Sequence, residues 1–356
     1  MKGLSSVEKL GLYIHWPYCL SKCPYCDFAS RPMTGCEDIL QAGYIRDIQN
    51  APKGTLTSIY FGGGTPSLMS EKFFDFLMKE ITNHWTIAKG AEITLEANPD
   101  AITPDKMRFF KSSGVNRLSV GVQSLRAGHL KFLGRRHSVE TALTVIKQAS
   151  KIFPRVNMDL IYGLPRQSLT SWQDELQKAL ALNLGHYSLY QLTIEENTVF
   201  GKKKVPTCSE KQAVRLYELT DEIMNKAGIP AYEVSNYARK GQESQHNMLY
   251  WTGGNFIGIG PSAQGRIGNI ATQNERWPMD WLKTPTHREV LTPTQIQMEH
   301  LIMGLRLRQI YYPSQNLDPK KIKEAVRRGW VEQNHHGIRP TLAGTLMLNQ
   351  LILLLA

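Results

Sequence analysis

Cysteine is scarce in this chain of 356 residues and odd in number: there are five, and three fall at positions 19, 23 and 26. An odd, clustered set argues against a framework of paired disulfides and for a reducing compartment in which thiols serve a metal or cofactor. Long hydrophobic runs are missing too. The one sizeable stretch, "LMLNQLILLLA" at 346–356, is too short and too interrupted to span a bilayer, and residues 1–10 are too polar for a signal peptide. A soluble, cytoplasmic protein is expected. Repeats and low-complexity segments are absent, so neither a solenoid nor a disordered tail is in prospect. Acidic residues are outnumbered, 31 against 42 basic ones; the net charge of +11 favours anionic partners, although such an excess alone usually means a solvated surface.

Present instead is enough apolar residue, 42%, to bury a large domain and a small one. Candidate strands recur along the chain: "LGLYIHW" (10–16), "SIYFGG" (58–63), "EITLEAN" (92–98), "NRLSVGVQ" (116–123), "VNMDLIYGLP" (156–165) and "HYSLYQLT" (186–193). Amphipathic segments lie between them, near 36–49, 70–82, 138–151 and 168–182. Strands alternating with crossover helices imply an α/β fold with a parallel sheet, and six units in a row predict a partial (β/α)6 barrel of TIM-like type. In such a barrel the strand C-termini carry the chemistry. The first strand here ends in "CLSKCPYCDF" (19–28), the second in "GGGTPS", the third in "EANPD", the fourth in "GVQS" and the fifth in "DLIYGLP", so every candidate polar group falls on one rim.

Three thiols in eight positions allow a disulfide framework, a zinc site or an iron–sulfur cluster. Structural zinc takes four closed ligands, and no second C-x2-C pair accompanies Cys23 and Cys26. A 4Fe-4S cluster normally takes four thiolates, so three would leave one iron open to an outside ligand bearing an amine and a carboxylate. Glycines 62–64 would let backbone approach that ligand and offer N–H groups to its carboxylate. Glu96 and Asp159, at strand ends, are suited to ribose hydroxyls or an amine.

A C-x3-C-x2-C loop after the first strand, with an aromatic before the last cysteine and "GGGTP" after the second strand, resembles the radical S-adenosylmethionine superfamily. Within it, "YIHWPYC", "YFGGGTPS", "LEANPD", "LSVGVQS", "LGRRHS" and "MDLIYGLPRQ" are similar to the oxygen-independent coproporphyrinogen III oxidases. The resemblance implies that Cys19, Cys23 and Cys26 hold a 4Fe-4S cluster. It further implies that Tyr13, Tyr25, Gly63, Gly64, Thr65, Glu96, Gln123, Arg135 and Asp159 line an S-adenosylmethionine pocket. Two departures point away from the oxidases: Phe28 stands where they carry a further cysteine, and the first strand begins near residue 10. The shorter sister branch, the heme chaperones of HemW type, is the better match, and "SQHNMLYW" (244–251) contains its H-N-x-x-Y-W pattern. That branch implies heme as cargo, with His246 as a candidate iron ligand beside Tyr250 and Trp251, and acceptor hemoproteins as partners, respiratory and membrane-associated ones included. An electron donor is implied if radical chemistry occurs, and an enzyme of the oxidase type is the alternative. Gln264 in "GIGPSAQGR" replaces a histidine frequent among relatives.

Cys36 and Cys208 are expected to be incidental, and Lys202–Lys204 a solvated turn. Three regions are expected: a barrel over 1–235, a connecting region with the H-N-x-x-Y-W segment over 236–290, and a winged-helix-like α+β unit over 291–356. The join is placed in "KTPTHREVLTP", rich in turn formers. Basic residues alone do not make a base-reading face, and nucleic acid is not an expected partner.

Overall fold

Between residues 10 and 16 apolar and small or polar side chains alternate, and the alternation sorts the two faces of a strand. Leu10, Leu12, Ile14 and Trp16 are fully buried on one side, while Gly11, Tyr13 and His15 take the other. The computed structural model describes residues 9–32 and 37–356; Cys36 lies outside them. Strand β1 (Lys9–Trp16) leads into two short strands, β2 (Tyr18–Cys19) and β3 (Arg31–Pro32), whose parallel pairing draws the base of the cysteine loop together. Then come β4 (Thr55–Gly63), β5 (Thr86–Ala97), β6 (Arg117–Gln123), β7 (Arg155–Tyr162) and β8 (His186–Gln191), each parallel to its predecessor in the sheet.

The sheet has eleven strands. Beyond the six expected ones, β9 (Asn236–Ala238) pairs antiparallel with β8, and β10 (Asn255–Ile259) pairs parallel with β1. Strands β11 (Gln264–Ile267), β12 (Ile270–Gln273) and β13 (His287–Val290) continue outward from β10 in antiparallel fashion. The two margins do not pair with each other, so among the described residues the barrel stays open.

Helices cover the outer face of the sheet. In Glu71–His84 the buried positions Phe73, Phe74, Leu77 and Ile81 follow the helical repeat, and in Val139–Ile152 so do Ala142, Val145, Ile146 and Ala149. Ser70, Ser138, Ser168 and Ser209 each start a helix by accepting an N–H three residues on. A second apolar cluster, including Leu301, Ile322, Val331, Ile338 and Leu351, gathers the C-terminal helices around a hairpin of β14 (Val331–Asn334) and β15 (Gly337–Pro340).

Sequence expectation and structure differ in four places. Strand β5 begins at Thr86, six residues before the alternating stretch, because its early part extends past the register shift with β4. The turn-rich segment 283–293 contains β13, an exposed edge strand whose Arg288 and Glu289 discourage further pairing. Lys202 closes a short helix, Val199–Lys202, with only Lys203 and Lys204 in the turn. The last helix is two, Leu342–Leu346 and Leu348–Leu355, divided at Met347.

Candidate cofactor site at the strand ends

The cysteine loop starts where β1 ends. Cys19 is buried, Cys23 and Cys26 are half-buried, and all three thiols are free. Burial pushes the Cys19 and Cys26 thiols up from their ordinary pKa, so their thiolates call for a nearby positive centre. Among the described residues no three His, Cys, Asp or Glu side chains converge tightly enough for a single metal ion. In a 4Fe-4S cluster each iron takes one thiolate, so its cysteines need not converge on a single point. Arg135 reaches the loop from the opposite wall: Nη1 donates to Cys23 Sγ (3.3 Å), Nη2 to Asn98 Oδ1 (2.6 Å) and the Gly121 carbonyl (2.8 Å). Its buried Nε–H has no acceptor, and the Tyr25 hydroxyl lies beside Cys23 at the same spot. A donor set of three sulfurs with an unspent guanidinium N–H fits an anionic cluster–ligand assembly.

The glycines do something other than expected. Gly63 N–H donates to Glu96 Oε2 (3.2 Å), Gly64 N–H to the Trp16 carbonyl (2.6 Å) and Thr65 N–H to the Tyr18 carbonyl (2.8 Å), so these three donors are already committed. Gly64 is needed because a Cβ there would stand 2.5 Å from the Tyr18 carbonyl oxygen. Gly63, at φ +105°, adopts a conformation side chains resist. The glycine run therefore seats the start of the cysteine loop against the second strand end. Thr65 Oγ1 in turn accepts from Asn98 Nδ2 (2.9 Å). Gln123, at φ +68°, sits at a bulge between β6 and β7, its amide close to Gly121.

Below this rim the barrel interior is polar. A cavity is lined by Tyr60, Glu96, Ser119, Asp159, Ser188 and Tyr190 among others. The alternate residues Leu118, Val120, Met158, Leu160 and Leu189 face the helices and are buried. Glu96 accepts from Tyr60 Oη (2.8 Å) as well as from Gly63, and burial lifts its pKa to about 7. Asp159 accepts from Asn157 Nδ2 (2.6 Å) and Ser119 Oγ (3.4 Å), and burial lifts it to about 6.

His246 lies apart from the rim. Its helix, Gln245–Trp251, starts at Ser244 and caps the barrel floor. The imidazole is 4% exposed; Nδ1 is 2.9 Å from Ser58 Oγ on β4, and the ring is walled by Tyr60, Tyr250 and Tyr13 at centroid distances of 5.3, 5.9 and 6.5 Å. Burial lowers its pKa to about 3, which keeps the ring neutral. In this position the ring is enclosed, and Gly11 makes room for it, since a Cβ there would stand 3.3 Å from its Cε1. Tyr13 lies between the two levels: its ring is 6.5 Å from His246 and its hydroxyl is 3.0 Å from His15 Nδ1.

Two residues escaped the sequence reading. Asn98, in "EANPD", ties Arg135 to Thr65. Glu92, two strand repeats before Glu96, accepts from Gln245 N–H (2.8 Å) and Ser244 Oγ (3.3 Å) at the helix start, and pairs with Arg155 (2.8 Å) and Arg117 (3.8 Å). Counting alternate positions back from Glu96 would have found it.

Residues 13–179 match the radical SAM superfamily. The heme chaperone HemW of Bacillus subtilis (strain 168) is 32% identical over 370 residues, 95% of this chain and 97% of that one. HemW of Escherichia coli (strain K12) is 39% identical over 267 residues, 72% of this chain and 70% of that one. The chain belongs to the HemW family of radical SAM proteins. A further relative, radical S-adenosyl methionine domain-containing protein 1, mitochondrial, of Danio rerio, is 34% identical over 391 residues, covering 98% of this chain and 87% of its own. The solved coproporphyrinogen III oxidase (HemN) of Escherichia coli shares the fold, with a TM-score of 0.85 over 99% of this chain and 91% of that one at 21% identity. Membership in the HemW family implies a 4Fe-4S cluster and S-adenosylmethionine. No helix of the described residues is long and apolar enough to cross a membrane.

Proposed function

We propose that this protein is a cytoplasmic heme chaperone that binds a 4Fe-4S cluster, S-adenosylmethionine and heme, and passes heme to acceptor hemoproteins. The observation that carries the reading is the similarity, along nearly the whole chain, to proteins named heme chaperone HemW. Cys19, Cys23 and Cys26 hold the cluster, which when bound supplies an iron with one position free for the amine and carboxylate of S-adenosylmethionine. Arg135 and Tyr25 flank that position, while Thr65 and Gln123 shape the rim. Gly63 and Gly64 keep the loop in place. Glu96 and Asp159 hold the ligand's polar groups, and Tyr13 stands behind Tyr60 at the edge of the pocket. His246 is the iron ligand for heme once the Gln245–Trp251 helix has left its seat, with Tyr250 and Trp251 against the macrocycle. Residues 291–356 form a separate cap, with the barrel over 1–235 and the connecting region over 236–290. If radical chemistry occurs, an external electron donor serves the cluster.

Hemin titration tests the heme site. His246→Ala should shift the Soret band and weaken heme binding on the order of tenfold or more, leaving iron and sulfide content unchanged. Heme binding indifferent to the substitution would move the site elsewhere. The oxidase alternative is disfavoured by Phe28, 64% exposed on the cysteine loop where oxidases carry a further cysteine. Anaerobic assays of the wild type should detect no coproporphyrinogen oxidation; robust turnover would restore that alternative.

The carboxylates make S-adenosylmethionine binding depend on pH. Glu96 must be ionised to hold a cation, and with its pKa near 7 it carries a proton in much of the empty protein at neutral pH. Affinity measured by calorimetry should therefore rise from about pH 6 to about pH 8, with Asp159 acting in the same direction at lower pH. For the empty protein the linkage runs the other way. Glu96 binds its proton more tightly folded than unfolded, so stability from this group is lost as pH rises from about 4.5 through about 7, and Glu96→Gln should remove that slope. Glu96→Ala and Asp159→Ala should each weaken binding about ten- to a hundredfold, since a lost charged hydrogen bond is worth about 1.5–3 kcal/mol. Unchanged affinity in both would contradict the pocket.

A further inference from the structure

Two lines of contact converge on the ring of His246. One begins in the cysteine loop, where the Ala29 carbonyl is 3.0 Å from His15 Nε2. A carbonyl can only accept, so Nε2 carries the proton and Nδ1 accepts from the Tyr13 hydroxyl at 3.0 Å. The Tyr13 ring then stacks on Tyr60 at 6.2 Å and lies 6.5 Å from His246. The other line begins in the cavity: Glu96 Oε1 accepts from the Tyr60 hydroxyl, and the Tyr60 ring packs 5.3 Å from His246. Tyr60 is thus a wall of two compartments. Its hydroxyl belongs to the cofactor cavity and its ring to the seat of the H-N-x-x-Y-W helix.

That seat is a discrete one. Ser58 bonds the imidazole, Glu92 accepts from the helix start, and Gly11 has no side chain to crowd the ring, since a Cβ there would stand 3.3 Å from its Cε1. Heme iron cannot reach an imidazole so enclosed, so binding there requires the helix to be unseated. A cation held at Glu96 keeps the carboxylate ionised, and an ionised acceptor strengthens the bond from Tyr60. Fixing Tyr60 fixes the wall of the seat, and a ligand that favours the seated form must be disfavoured by one that requires the other.

We propose that S-adenosylmethionine and heme bind antagonistically through Tyr60: ligand in the Glu96–Asp159 cavity holds the Gln245–Trp251 helix in its seat, and heme binds the form in which that helix has left it. S-adenosylmethionine then acts as a release effector, unloading heme toward an acceptor without itself being consumed. The inference rests on His246 being the heme ligand.

The test uses full-length, cluster-reconstituted protein with the cluster oxidised and no reductant present. Hemin is titrated with and without saturating S-adenosylmethionine, and S-adenosylmethionine with and without hemin. Each ligand should raise the other's Kd by the same factor, on the order of tenfold. In Tyr60→Phe, which keeps the ring and removes the hydroxyl, that factor should fall to about twofold or less. Independent affinities in the wild type would overturn the antagonism. Full antagonism persisting in Tyr60→Phe would overturn Tyr60 as its route. Failure of the heme site itself reads differently: His246→Ala would then bind hemin like the wild type, whether or not the two ligands compete.

Discussion

Replacing Cys19, Cys23 or Cys26 with alanine is expected to strip the protein of its cluster, taking iron and acid-labile sulfide from about four of each per chain to nearly none. With three thiolates one iron already lacks a protein ligand, and among the described residues no further His, Cys, Asp or Glu group stands ready to fill a second vacancy. Cys208→Ala should keep the full complement, because that thiol packs near Gly163, away from the loop. Gly64→Val belongs with the cysteines. Its Cβ would meet the Tyr18 carbonyl at 2.5 Å, and backbone one residue before Cys19 cannot yield as a flexible side chain would. Cluster content, not ligand affinity alone, should fall in that variant. A normal iron and sulfide count in Cys23→Ala would refute the ligand assignment.

Glu92→Ala should destabilise the folded chain by about 3–5 kcal/mol, the range for breaking a buried ion pair from one side. Glu92 is 2% exposed, as is Arg117, and its removal leaves the guanidiniums of Arg117 and Arg155 facing each other with no anion between them. It also deprives the N–H groups of Gln245 and His246 of their acceptor. Urea or thermal unfolding measures the loss. Glu92→Gln, which keeps an oxygen for the helix start but not the charge, should lie between; a variant Glu92→Ala as stable as the wild type would mean that the floor helix is held by its rings alone.

The six parallel strands were legible because alternation of the "GLYIHW" kind is a local signal, visible before any partner is known. Whether the sheet closes is decided by strands too short to announce themselves. β10 to β13 span four or five residues each, and "HREV" of β13 sits among turn formers that mask it. Motif residues were found, yet their duties were only partly readable. "GGG" says that side chains are unwelcome at 62–64 but not that the space there is filled by Tyr13, Tyr60, His15 and Tyr18. His246 beside two aromatics fits a ligand and a packed core histidine equally well until Ser58 and Tyr60 are brought against it from 188 and 186 positions away. The polar interior was in reach all along. His186, Ser188 and Tyr190 alternate with Tyr187 and Leu189, so one face of that strand was marked as wet.

That wet interior separates what holds the molecule together from what it handles. Cohesion resides in the shell, where Leu12, Ile14, Phe61, Leu95 and Val120 press against the helices, and none of these touches the cavity. Ser119 and Ser188 both accept from Asn157 Nδ2, so substitutions lining the cavity answer to polar pairing, while those in the shell answer to packing.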